Sequence, residues 1–553
     1  MNIVEKRRLA LAQKCVNFGK YEYAELVMAK MQQDGSKSSE IYKEFAILFV
    51  KMDKLDKAIE AAQKAFETDK CVDTLKLLAS TNFICDKYED AAIQFEELLK
   101  YNPDESTYKY CIDSYKNLGL EEEAIRINKQ FIENSPSANS YASLFFLYAE
   151  IGMTDEAIAC CDEMKKKFPN HSLTYSSFGF LNETIYNDYE KAKEFFLKAA
   201  KRGFIDSYYN LGVCCKQSED FENAEKYLKK LISLKAETTT DYNYTLGTVY
   251  FAQRKLRLGY KYYLNRKNTS LLNKKDKKQQ WDGKDYPEET LLVMREQGLG
   301  DNIQFSRFLP IVAKKFKKVV YLIEESLCDI LRRSYAQYDN IEIIPRGSTV
   351  RYNKFVLLMD IPYVLHMSYQ NIPQHRPYLI ADNNKIEQYK EKYFKNDDFK
   401  IGLCWRASGM GLRDAVYRTI DGPYYYRKLF DIPNTKFYSF QTQDIFNMLE
   451  KYPQMTDLSP EFSSFDETAS LIKNLDVLVT VDTAIAHLAG GLGIKTYLLL
   501  CHAPDWRWFE NTEKTEWYDS VTIIKQSDRR TWEDVSEKLL EYITNDVKNH
   551  SKK

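Results

Sequence analysis

The 553-residue chain contains no uninterrupted run of 18 or more apolar residues and no charged-then-apolar segment at its start. Neither a membrane-spanning helix nor a secretory signal is therefore expected, and the cytoplasm is the default compartment. Net charge is also missing. With 79 Lys and Arg against 80 Asp and Glu, the chain lacks the basic excess of a nucleic-acid-binding protein, and neutral or small-molecule partners are expected instead. Metal-ligand spacing is absent as well: the 11 cysteines form no C-x-x-C and only 6 histidines accompany them. The adjacent pairs Cys160-Cys161 and Cys214-Cys215 thus read as reduced residues of helix cores, not as a zinc or redox site. No G-x-G-x-x-G fingerprint occurs, which argues against a nicotinamide cofactor, and there is no D-x-D triplet. Length, in contrast, is ample. At about 150 residues per packing unit the chain requires more than one domain.

The first half carries a repeat. Small residues recur at Ala24, Ala58, Ala91, Ala124, Ala157, Ala192, Ala224 and Gly259, with spacings of 32 to 35. Several have a small residue twelve positions earlier (Ala46, Ala79, Gly212, Gly247) and a large apolar one four later (Phe95, Phe196, Leu228), and Pro103, Pro136 and Pro169 close three units. Small residues let paired helices cross closely, apolar residues at three-to-four spacing fill the seam, and proline ends the second helix. The pattern resembles the tetratricopeptide repeat, and residues 1–270 are expected to form an all-α solenoid of such units. Its concave face either binds a partner or serves only to buttress the second half of the chain.

After a Lys-rich stretch from Asn273 to Gln280 the period changes. Short β-rich runs alternate with amphipathic segments, the signature of parallel α/β sheets. Strands are expected at Leu291 to Arg295, Val319 to Ile323, Ile341 to Ile344, Phe355 to Met359, Ile401 to Trp405, Lys436 to Phe440, Asp476 to Val481 and Thr496 to Leu500. They divide into two Rossmann-like lobes, 281–380 and 399–545, with the polar stretch Asp382 to Lys400 as connector. Ligands of such sheets sit beyond the carboxyl ends of strands, so the loops after the first, fifth and seventh of these runs are the places where chemistry is expected.

The first loop reads Glu296-Gln297-Gly298-Leu299-Gly300-Asp301 and leads into Asn302-Ile303-Gln304-Phe305-Ser306. Gly298 and Gly300 permit tight turning, and Asp301 is either a general base aimed into the cleft or a helix cap. The last loop, Asp482-Thr483-Ala484-Ile485-Ala486-His487, starts a helix whose free backbone donors suit a diphosphate. Thr483 adds a hydroxyl. His487 lies one turn on and is either a phosphate or sugar contact or a packing residue. Asp482 caps this helix, positions sugar hydroxyls, or does both. Trp405 and Arg406 either clamp a ligand or pack the lobe interface. Asp505-Trp506-Arg507-Trp508 reads as a structural corner, with a pocket wall as the alternative.

Taken in order, these blocks resemble glycosyltransferase family 9, the heptosyltransferase-like family of GT-B fold, in the branch that carries N-terminal tetratricopeptide repeats. The similarity runs from Trp281 to Trp532. It rests on Glu296 to Phe305, Ile401 to Trp405, Phe465-Asp-Glu-Thr-Ala469, Leu475 to Gly493, and Asp505 to Trp508 with Trp517-Tyr518, while Gly259-Tyr-Lys-Tyr-Tyr-Leu-Asn-Arg266 resembles the junction of that branch. The plan is also similar to that of protein O-N-acetylglucosaminyltransferases, although the Gly298 to Asp301 and Asp482 to His487 blocks fit family 9 better. The resemblance implies an inverting, metal-independent enzyme with no cofactor, taking a nucleotide-diphosphate sugar as donor and a protein or glycan as acceptor. It implies Asp301 as catalytic base, and Asp482, Thr483, Ala484 and His487 as the donor-binding turn and helix. It also implies Arg418 as a cationic phosphate ligand and Gln441 as a nucleoside contact. Read from composition alone, Arg418 is equally a solvated loop arginine. Gly298, Gly300, Gln304, Trp405 and Arg406 form a second tier. The competing expectation is a non-enzymatic repeat scaffold with a degenerate glycosyltransferase-like half.

Overall fold

The computed structural model describes residues 3–35, 38–101, 103–234, 240–266, 278–373, 376–407, 418–420, 423–442, 447–508, 513–529 and 531–550. Part of the Lys-rich stretch, 273–277, lies outside the described residues. The chain divides into two compact units, Met1–Leu181 and Asn182–Lys553.

Helices occupy the chain up to Tyr263 in successive pairs, from Ile3–Asn17 with Tyr21–Gln33 to Thr240–Ala252 with Leu256–Tyr263. The small-residue series explains the pairing. Ala24, Ala58, Ala91, Ala124, Ala157, Ala192 and Ala224 are each 0 % exposed, and at Gly259 an added Cβ would stand 2.2 Å from a ring carbon of Phe251. A second register, not apparent from composition, lies five residues ahead of each. Gly19, Asp53, Asp86, Gly119, Gly152, Asn187, Glu219 and Arg254 all turn the chain with φ between +53° and +80°. Gly, Asp and Asn enter this left-handed region readily, whereas Glu and Arg pay roughly 1–2 kcal/mol for it. Those two side chains are ion-paired to the α/β region, Glu219 with Lys525 and Arg254 with Glu516.

Unit Asn182–Lys553 continues from its helices into two sheets. The first contains β1 (Tyr286–Met294), β2 (Phe316–Ile323), β3 (Ile341–Pro345) and β4 (Lys354–Leu357), all parallel, in the order β3-β2-β1-β4. The second contains β5 (Phe399–Cys404), β6 (Thr435–Ser439), β7 (Met455–Asp457), β8 (Val477–Val481), β9 (Thr496–Leu500), β10 (Lys514–Thr515) and β11 (Tyr518–Lys525). Its order is β10-β11-β9-β8-β5-β6-β7, parallel except where β10 meets β11. Strands β8 and β9 are buried along their whole length, as parallel strands covered on both faces must be. Strand order reverses between β1 and β4 and again between β5 and β8, and a crevice opens at such points beyond the carboxyl ends.

Three departures from the sequence reading have physical causes. The supposed connector Asp382 to Lys400 contains the helix Asn383–Tyr393, capped by the Asp382 carboxylate. Its polar composition concealed a seam of Ile386, Tyr389, Tyr393 and Phe394 that packs on the core. The fourth expected strand stops at Leu357, because Leu358–Asp360 winds into a 3-10 turn that carries Asp360 inward. Strand β11 was not anticipated, although Val521, Ile523 and Ile524 are core residues.

Buried charge fastens the parts of this unit together. Arg266, at the end of the helical region, is 2 % exposed and reaches Glu296 at the end of β1, with Nε on Oε1 at 2.7 Å and Nη2 on Oε2. The same Nη2 lies 2.8 Å from Asp360 Oδ1. Burial pushes the Asp360 carboxyl up to about 6 against the pull of Arg266. Asp466, in the Phe465 to Ala469 block, joins Arg333 of the first lobe and, at 2.8 Å, Lys385. Arg307 is fully buried, donating to the Trp517 carbonyl at 2.7 Å beneath the rings of Tyr378, Trp517 and Tyr518. The substitution Arg266→Met strands two carboxylates without their cation and is expected to cost about 3–5 kcal/mol. Urea unfolding monitored by tryptophan fluorescence measures it, since all 6 Trp lie in this unit; an unshifted midpoint contradicts the assignment.

Candidate functional site

The ends of β1, β8 and β9, the chain after β5, and the helices before Tyr263 enclose one cavity of about 520 Å³. Asp301, Arg418, Asp482, Thr483, Ala484, His487, Gly298 and Gly300 all line it. Gln304, Trp405, Arg406 and Gln441 are not among its lining residues.

The loop after β1 is shaped by its own polar groups. Gln297 takes φ +61°, and Gly298 is the N-cap of the helix Leu299–Phe305. Asp301 caps the loop from the third helical position, its Oδ2 accepting the Gly298 N–H at 2.9 Å. The Asn302 amide holds the loop from inside by donating to the carbonyls of Glu296 at 3.0 Å and Gly298 at 2.7 Å. The two glycines have unlike duties. A Cβ on Gly298 would meet only Asp301 Oδ2, at 3.4 Å, whereas one on Gly300 would stand 2.8 Å from His487 Cδ2 and 3.2 Å from Ala484 Cα. Gly300 is the point at which the two lobes' helices touch.

The turn after β8 leads into the helix Ala484–Leu492 with Thr483 at its N-cap, and the Thr483 side chain makes no capping hydrogen bond to its first amides. Thr483 Oγ1 instead shares a hydrogen bond with Thr480 Oγ1 at 3.1 Å. Arg418 lies alongside, Nη1 3.4 Å from the Asp482 carbonyl and 3.8 Å from its Oδ2; its sequence neighbour Tyr417 lies outside the described residues. Burial, with the Asp505 carboxylate nearby, pushes Asp482 up to about 6, against the charge of Arg418. His487 is 5 % exposed, stacks on Trp508 with ring centroids 4.9 Å apart, and shares a hydrogen bond with the Tyr518 hydroxyl at 3.0 Å. Burial and then the charges of Arg507 and Arg307 push it down to about 3, so it is neutral at physiological pH.

Gln441, Trp405 and Gln304 are buried away from the cavity. Gln441 Oε1 accepts the Arg406 N–H at 3.0 Å and its Nε2 donates to the Arg406 carbonyl at 3.4 Å, which fixes the chain leaving β5. Trp405 is buried in the second lobe's core. The Gln304 amide is fully buried and has no hydrogen-bond partner among the described residues.

The residue that sequence reasoning undervalued is Arg507. It lines the cavity with Nη2 on Asp301 Oδ1 and Nη1 on Asp505 Oδ1 at 2.6 Å. An acid and a base two residues apart announce a local ion pair; nothing in the sequence announces the third member. Lys216 and Tyr244, from the repeat helices, also line the cavity. Among the described residues no group of three His, Cys, Asp or Glu is placed to hold a metal ion, and no helix is long and apolar enough to cross a membrane.

Fold and site together define a tetratricopeptide-repeat protein with a C-terminal α/β region of two parallel sheets. Residues 205–238 match the tetratricopeptide repeat family. Over 280 residues the chain is 22 % identical to Protein FlbA of Caulobacter vibrioides, covering 46 % of each, so it spans about half the length of that curated relative. Among solved structures it is similar to the C-terminal part of a TPR repeat-containing protein from Cytophaga hutchinsonii, at 15 % identity and TM-score 0.29, covering 43 % of this chain and 99 % of that one. A tetratricopeptide repeat protein from Parabacteroides merdae is similar at 16 % identity and TM-score 0.32, covering 43 % and 96 %.

Gly300→Ala is expected to force the two lobes' helices apart and to cost about 1–3 kcal/mol, while Gly298→Ala is tolerated. Thermal melting of the two variants side by side checks this, and equal melting temperatures would refute the packing role.

Proposed function

We propose that the chain is an inverting, metal-independent glycosyltransferase of GT-B type, transferring a hexosyl or heptosyl group from a nucleotide-diphosphate sugar to a protein or glycan acceptor recognised partly by the repeats. The observation that carries this reading is the meeting of Asp301, Arg418 and the uncapped start of the helix Ala484–Leu492 around one cavity at two strand-order reversals. In this reading the diphosphate lies against that helix start, with Arg418 and the Thr483 hydroxyl on its oxygens. Asp301 takes the acceptor's hydroxyl proton as the oxygen bonds to the anomeric carbon from the opposite face. The bond from that carbon to the diphosphate oxygen breaks, and its electron pair leaves with the nucleoside diphosphate. Charge gathers on the leaving oxygens in the transition state, where fixed donors act most strongly. His487, being neutral, shapes the pocket, and Gln441 acts through the Arg406 backbone. The scaffold alternative draws on one observation, that both oxygens of Asp301 are already engaged.

Isothermal titration with ADP-, UDP- and GDP-sugars tests the proposal. One nucleotide is expected to bind selectively. Arg418→Ala is expected to weaken it about tenfold or more, while Asp301→Asn keeps the affinity and abolishes transfer. A folded protein that binds none of them favours the scaffold.

The same titration has a pH signature. Asp482 is ionised above about 6 and competes with the donor for Arg418. A nucleotide-sugar diphosphate carries no group titrating in this range, so wild-type affinity is expected to rise as pH falls from about 7.5 to about 5.5, by severalfold. In Asp482→Asn the profile is expected to be flat; a wild-type profile that is flat as well removes Asp482 from the site.

A further inference from the structure

We propose that Arg507, braced by Asp505, is a positioning residue that holds the Asp301 carboxylate charged and in a fixed plane toward the acceptor side of the cavity. The inference rests on the glycosyltransferase reading of that cavity. Arg507 is tightly held, although its buried Nε has no hydrogen-bond partner among the described residues. Its backbone N–H and Nη1 both donate to Asp505 Oδ1, at 3.0 and 2.6 Å, its carbonyl accepts the Trp517 indole N–H at 2.8 Å, and its guanidinium lies 4.6 Å from the Trp506 ring centroid. Nη2 is left to grip Asp301 Oδ1, while Gly298 N–H takes Oδ2. Gripped at both oxygens, the carboxylate cannot rotate about its terminal bond. Each oxygen accepts one of these hydrogen bonds and retains a second lone pair for a proton.

The electrostatics fit a brace as well. Burial pushes Asp301 up, the Arg507 charge opposes it, and Asp505 adds to the rise. At Asp505 burial is outweighed by Arg507, which keeps that carboxyl below its ordinary value. The other charged and titratable groups around the pair include Lys216, Glu219 and Tyr244 from the repeats, Asp482, Cys501 and neutral His487 from the second lobe, and Arg418; Tyr260 and Tyr263 lie near Arg507, Tyr369 near Arg507 and Asp505, and Tyr321 near Asp301. One cation shared between two carboxylates has a directional consequence. Removing Arg507 raises the proton affinity of Asp301, and removing the charge of Asp505 lowers it.

The experiment monitors release of nucleoside diphosphate from the nucleotide sugar selected by titration, with water as the acceptor that takes the glycosyl group, using the full chain, with kcat/KM measured from about pH 5 to about pH 9. The acid limb is expected to move up by roughly one pH unit in Arg507→Gln, less far in Arg507→Lys, and down in Asp505→Asn, with nucleotide-sugar affinity held within about threefold. Opposite displacements are not produced by general loosening of the fold. Should Arg507→Gln fail to fold, Arg507→Lys against Asp505→Asn decides: opposite shifts support the brace and equal or absent shifts overturn it. A loss of affinity with the limb unmoved overturns it too, making Arg507 a donor ligand. A wild-type profile without an acid limb, or an Asp301→Asn variant that keeps wild-type turnover, counts against Asp301 as base, and so against the glycosyltransferase reading itself.

Discussion

One guanidinium, that of Arg266, sets the terms for much of the second unit. Taking it and two carboxylates out of water is costly, and the cost is offset only while Glu296 stays hydrogen-bonded to it and Asp360 stays within ion-pair distance. Glu296 begins the loop that ends in Asp301, and Asp360 lies just past β4, the strand beyond the reversal. The last helical pair therefore anchors the two sides of the first lobe's crevice at once. Buried ion pairs tolerate little displacement, because the interaction is lost faster than hydration is regained. The loop that ends in Asp301 is consequently held at Glu296 by Arg266 and at Asp301 by Arg507.

A second constraint acts between the lobes. The helices Leu299–Phe305 and Ala484–Leu492 meet where Gly300 has no side chain, and Asp466 with Arg333 and Lys385 forms a separate tie. The cavity owes its outline to backbone proximity as much as to the side chains that line it.

Much of this was legible in the sequence, for reasons that differ from place to place. The repeats declare themselves because every unit must place a small residue at the helix crossing, and Ala24 through Gly259 do so at a near-constant interval. The strands read clearly where both faces are covered, as in β8 and β9, since burial demands an unbroken apolar run. The loops after β1 and β8 were found because strand ends are where α/β sheets offer backbone donors. What escaped is long-range or directional. Gly300 looks like a turn glycine and serves a helix contact with a segment far along the chain. Gln441 sits where a side chain leaving a strand is expected to face outward, yet turns back to hold Arg406. Arg507 belonged to a block whose tryptophans drew attention to bulk, so its charge passed as incidental. The helix Asn383–Tyr393 was obscured by its charged composition: Lys390 and Lys392 are exposed, while Lys385 turns inward to Asp466.

The turn residues ahead of each second helix carry a further implication for how such a chain can change in length. An array grows or shrinks by gaining or losing whole units, and a unit is portable only if its turn is self-sufficient. Units that turn at Gly19, Asp53, Asp86, Gly119 or Gly152 satisfy that condition, whereas the Asn187 amide donates to the Arg529 carbonyl of the α/β region at 3.5 Å. Those that turn at Glu219 and Arg254 do not, because their strained backbone is matched to Lys525 and Glu516 in the α/β region. Variation in repeat number is thereby directed to the amino-terminal units, and the final two are inherited with the sheets as one indivisible block.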